Sequence, residues 1–112
     1  MDSSRASATA IYFLLEKGQR SHWHKVDAAE LWLWHAGSPL CLLTAPGEDA
    51  PVSEIILGGN VPAGQTPQHI IPPHHWQSTQ TQPGWALVSC IVSPAFEFSG
   101  FTLAAPDWTP GG

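Results

Sequence analysis

Apolar and polar positions alternate along this chain in short runs, and Gly and Pro interrupt them about every 8–12 residues. The run Thr9–Leu15 (TAIYFLL) is β-branched and aromatic, which predicts a buried strand. Segments 21–26 and 28–36 predict two strand pieces about a bend at 27–29, closed by Gly37-Ser38-Pro39. Further strands are expected over 40–45, 52–57, 67–71, 75–79, 85–92 and, with a break at Gly100, 96–104. Gly58-Gly59-Asn60 carries a hairpin-type signal, and 61–64 reads as another turn. No segment keeps helical periodicity over three turns. The pattern predicts an all-β antiparallel sandwich or barrel. Without a repeat or linker, residues 1–112 read as a single domain with loose tails at 1–8 and 106–112.

Parity then selects candidate chemistry. Residues two apart on a strand leave the same face. His22 and His24 therefore share one face, and Glu30, Trp32 and Trp34 share another parity, opposite to His35. If the bend restores the phase, two imidazoles and a carboxylate meet on a concave, tryptophan-walled surface. That arrangement suits a divalent metal (Fe, Mn, Ni or Zn) or an acid/base pair. The alternative is ordinary hydrogen bonding of both histidines to Glu30 or Asp27 with no metal. Trp32 and Trp34 are candidate stacking walls for a sugar or aromatic ring, while Trp23 and Trp76 are expected in the core. His69 is a candidate contact at the pocket mouth. Tyr12, the single tyrosine, is either core or a proton donor. Glu97 is expected in solvent.

Composition narrows the partners. Only 12% of the 112 residues are charged while 43% are hydrophobic, so part of the surface suits a subunit interface, and a homodimer is expected. A net charge of −5 with four Lys+Arg argues against nucleic acid and anionic membrane. No apolar run is long enough to span a bilayer, and no secretory leader is visible. Cys41 and Cys90 lie far apart in apolar contexts and read as buried free thiols, which gives a cytoplasmic expectation. No nucleophile elbow or phosphate loop is present.

Four blocks then point to a family: TAIYFLL, SHWHKVDAAELWLWHAGSPL, PQHIIPPHHWQ and GWALVSCIVSPAFEFSGFTLA. In this order they resemble the small RmlC-like cupin family of unknown function (cupin superfamily, family 5), over about residues 9–105. The resemblance implies a double-stranded β-helix, the cupin jelly roll, usually dimeric. It aligns His22, His24, Glu30 and Gly37 with the first cupin motif. Gln77 falls at the fourth-ligand position, with His75 of matching parity as a substitute or pocket proton carrier. His74 stands where the motif has a turn glycine, a position that asks for positive φ. Family members usually begin with a His-Pro-Glu-Gly-Gly segment that this chain lacks, so an N-terminal edge segment of the jelly roll is expected to be missing: either the chain is a short form, or that edge of the barrel is supplied by a partner subunit or left open.

The function expected from the resemblance is a small-molecule enzyme of isomerase, epimerase or lyase type, assisted by a divalent metal, acting on a carbohydrate-like or other small polar metabolite. A metal-free version resembles the dTDP-sugar epimerases, with His24 as base and Tyr12 as acid. The alternative is a non-catalytic module that holds a sugar or aromatic ligand between Trp32 and Trp34.

Overall fold

The computed structural model describes residues 5–81 and 84–111. Among the described residues nine strands form: β1 Thr9–Leu15, β2 Arg20–Val26, β3 Ala29–Gly37, β4 Leu40–Ala45, β5 Ser53–Leu57, β6 Gln68–Ile71, β7 Trp76–Thr81, β8 Ala86–Ser93 and β9 Phe101–Leu103. They build two antiparallel sheets, of order β1-β8-β3-β6 and β5-β4-β7-β2-β9, that face each other without closing into a barrel. Two facing antiparallel sheets of this order are the expected jelly-roll arrangement.

Most strand bounds follow the alternation to within two residues. There are two exceptions. Of the strand expected over 96–104 only Phe101–Leu103 forms, because Phe98–Gly100 makes a 3₁₀ turn ahead of it. The other is the 58–60 signal. The chain there does not turn back on itself: a short 3₁₀ turn, Val61–Ala63, carries it from β5 in one sheet to β6 in the other. Two glycines and a proline supply bends for a crossover as readily as for a hairpin. His74 does take the left-handed conformation, with φ 68°.

The inner faces of the two sheets pack around Trp32, Leu40, Leu42, Leu57, Ile71 and Val88. A second cluster lies on the other face of the five-stranded sheet, where Trp23, Trp76 and Ala45 are covered by Ala104 and Trp108. Trp108 packs at a tilt against Trp76, with ring centroids 4.6 Å apart, and the Gly111 N–H donates to the Glu48 carbonyl, so 104–111 is packed rather than loose. At the other end, Arg5 pairs with Asp27 at 2.9 Å and donates to the Ala95 carbonyl at 2.8 Å. This ion pair holds the Asp27 carboxyl below its ordinary range. Glu97 lies exposed, 3.5 Å from the same arginine.

Gly37 ends β3 with φ 92°, and a Cβ there would meet the Trp85 carbonyl oxygen and ring. Gly37→Ala is therefore expected to destabilise the fold by about 1–3 kcal/mol, measured as a lower midpoint in thermal or urea unfolding. An unchanged midpoint would show that the strand end relaxes freely.

Candidate functional site

Between the sheets, beyond the Trp32 core, lies a cavity of about 340 Å³. Ile11, Val26, Val92, Phe96 and Phe101 give it apolar walls. Its polar groups are Thr9, His24, Glu30 and Cys90. Strand register explains the gathering. Ile11 and Trp32 both pair with Cys90, and Glu30 pairs with Val92, so alternate residues of β1, β3 and β8 share one inner face. The Phe96 segment is held against β1 by a 3.1 Å hydrogen bond from its N–H to the Thr9 hydroxyl.

Glu30 is 7% exposed. Burial pushes its pKa above the ordinary value, while the Gln77 amide, the His24 charge and the Cys90 thiol beside it pull partly back. Gln77 Nε2–H donates to Glu30 Oε1 at 3.0 Å, and Trp32 Nε1–H donates to Gln77 Oε1 at 3.1 Å. Burial and the neighbouring Glu30 push the Cys90 thiol well up, so it stays protonated at neutral pH and is a poor nucleophile. His24 Nδ1 lies 2.8 Å from the His22 carbonyl oxygen. A carbonyl only accepts, so Nδ1 carries a proton, and Nε2 is the ring nitrogen left to take up or give one. The ring rests against Phe101, with centroids 5.7 Å apart.

Of the residues selected from the sequence, His24 and Glu30 meet in this cavity and the others do not. His22 diverges because β2 carries a bulge: Ser21 pairs with Thr79 and His24 with Gln77, three steps against two. The extra residue cancels the expected parity. His22 and Trp23 both face the 106–109 segment, where His22 Nε2 bonds the Ala105 carbonyl at 2.6 Å. Tyr12 points outward on β1, 78% exposed, with its ring edge-on to His35. Trp32 has the expected parity but lies in the core at 2% exposure, and Trp34 donates its N–H to the Ser38 carbonyl. Neither forms a wall of this cavity. His69 sits half-buried opposite Trp32 on β6, its pKa lowered by burial, and His75 lies just past the 72–74 turn; neither lines the cavity.

A divalent metal at this site would need a third and fourth donor. His22 is turned away, and the Gln77 oxygen is occupied by the Trp32 indole. Among the described residues no three His, Cys, Asp or Glu side chains are grouped to hold an ion. The residues present do not fit the expected donor set.

Sequence parity passed over Cys90 as a site residue, along with the Thr9 and Ile11 positions. Cys90 shares its face with Val88 and Val92 in an unbroken alternation on β8, which was the available signal. No helix among the described residues is long and apolar enough to cross a membrane.

The geometry can be set beside known proteins. A protein from Shewanella oneidensis superposes with a TM-score of 0.86 at 35% identity, over 93% of this chain and 66% of that one. A hypothetical protein from Leishmania major gives 0.81 at 30% identity, over 90% of this chain and 66% of the other. The chain thus spans just under two thirds of either relative. A dTDP sugar isomerase from Desulfovibrio desulfuricans shares the fold at a TM-score of 0.76 and 13% identity, over 96% of this chain and 71% of that one. No curated protein matches. The family model described as Cupin superfamily (DUF985) matches residues 1–104, and the chain belongs to that family.

Proposed function

We propose that this cupin is an enzyme that moves a proton on a small molecule seated between His24 and Glu30, in an isomerisation next to a carbonyl. One observation carries the reading: an imidazole with a free nitrogen and a buried carboxyl of raised pKa line the same largely apolar cavity. Groups so arranged divide into base and acid. His24 Nε2 takes a proton from a carbon next to a carbonyl. The Glu30 carboxylic acid hydrogen-bonds the carbonyl oxygen and stabilises the charge that develops there. Return of that proton from His24 Nε2 to the same carbon, after exchange with solvent, completes an α-proton exchange. Where that carbon bears a hydroxyl, Glu30 first protonates the carbonyl oxygen, His24 delivers its proton to the former carbonyl carbon, and the hydroxyl proton returns to Glu30, which completes an isomerisation. With Tyr12 outside, the acid role passes to Glu30.

The substrate class also narrows. A cavity of about 340 Å³ walled by five apolar side chains suits an apolar body with one carbonyl-bearing head better than a hydroxyl-rich sugar.

The test is a panel of small aromatic and aliphatic ketones, hydroxyketones, lactones and monosaccharides. Binding is followed by NMR of the labelled full chain, and turnover by proton exchange with D₂O. A ligand that shifts cavity residues is expected to exchange its α-proton, about 10²–10⁴-fold more slowly in His24→Gln. Exchange that His24→Gln leaves intact would overturn the assignment. Binding without exchange would make the cavity a non-catalytic binding site.

A further inference from the structure

We infer that Gln77 is a positioning residue: anchored by Trp32, it holds the Glu30 carboxyl toward the cavity and favours one of its oxygens for a proton. The inference deepens the reading of Glu30 as the cavity acid and rests on it. Glu30 and Trp32 stand on β3 of one sheet, and Gln77 stands on β7 of the other. The amide therefore bridges the two sheets through the interior, at 1% exposure. Its orientation is chemically forced. An indole N–H has no acceptor function, so the amide oxygen must face Trp32 and the amide nitrogen must face Glu30. Glu30 Oε1 is thereby engaged as an acceptor from Gln77, which favours Oε2 for a proton, beside the Cys90 thiol that also hydrogen-bonds this carboxyl.

Packing alone does not call for an amide here. It is bonded to Trp32, a member of the apolar core, and burying an amide there is unfavourable unless its bonds are made. The relay satisfies them: among the described residues no buried side-chain nitrogen or oxygen lacks a partner. The other titratable groups that face Glu30 are His24 and Cys90, both on the cavity wall.

The experiment is NMR on the full chain, with the Trp32 and Trp34 indole N–H resonances assigned from Trp32→Phe and Trp34→Phe. In Glu30→Gln the Trp32 indole resonance is expected to move, because the far end of its hydrogen-bond chain has lost a charge-bearing acceptor. The Trp34 resonance, bonded to Ser38 instead, should stay in place. In Gln77→Met the Glu30 carboxyl, followed by its ¹³C signal, is expected to titrate at higher pH than in the native chain, since an N–H that favours the ionised form is gone. A Gln77 that merely fills space would leave that midpoint unchanged, and this result would overturn the inference. Should Gln77→Met not fold, the comparison of Trp32 with Trp34 in Glu30→Gln still decides: equal or absent movement refutes the relay. An intact relay in a chain that turns over nothing contradicts only the proposed reaction. Turnover with a silent Trp32 contradicts only the role of Gln77.

Discussion

Trp32→Ala is expected to lower the unfolding free energy by about 3–5 kcal/mol, read as a shift of the urea midpoint at unchanged slope. The indole is the largest fully buried side chain, 2% exposed, and it packs edge-on against Phe13 with centroids 6.2 Å apart. Truncation opens a void between two sheets that are each stiffened by their own strand pairing, so collapse into it is limited. It also removes the donor that satisfies Gln77 Oε1, and a buried acceptor left unpaired costs about 1–3 kcal/mol. Against a domain total of about 5–15 kcal/mol, the variant sits near the limit of folding. Trp32→Phe separates the two contributions, because it retains most of the ring and loses the N–H. A loss below about 1 kcal/mol in Trp32→Ala would show that the indole is not the keystone of this core.

Glu30→Gln is expected to have two opposite effects. Turnover on any substrate found falls by about 10²–10⁴-fold, since glutamine has no acidic proton to present to the developing oxyanion. Stability at neutral pH rises. The sign follows from linkage. Burial raises the Glu30 pKa in the folded chain above its ordinary value of 4.5, so the folded state binds the proton more tightly than the unfolded state does. Its favourable contribution is fully present below that ordinary value and is lost as pH rises through the folded value. Glutamine has no such dependence. Urea midpoints of native and variant chains should therefore lie closest in acid and separate as pH rises, with the variant more stable. A gap that narrows with rising pH would contradict a buried, reluctantly ionised carboxyl.

The strand pattern and the family were legible in the sequence because they rest on local alternation and on ordered motifs. Thr9–Leu15 and Leu40–Ala45 coincide with β1 and β4 to the residue. Half of the expected convergence was legible too, since Glu30 is in phase with Trp32 and the inner face of β3. What failed was parity across an irregularity. Nothing in Ser21-His22-Trp23-His24 marks a bulge, yet one extra residue against β7 sends His22 to the far side of the sheet. Tyr12 shows a second limit. Alternation separates Tyr12 from Ile11 but does not say which of two apolar sets on β1 faces inward. The hydrogen bond between Trp32 and Gln77 was not legible, because the two lie 45 residues apart and only the fold brings them together.

The most direct check on the account is a ¹³C titration of the Glu30 carboxyl in the native chain, in His24→Gln and in His22→Gln. The His24 charge is one of the influences that hold the Glu30 pKa down. The account predicts that Glu30 titrates at higher pH in His24→Gln and at its native pH in His22→Gln. A midpoint that moves in His22→Gln, or stays put in His24→Gln, would mean that position 24 and Glu30 do not share a cavity, and the proposed chemistry would lose its site.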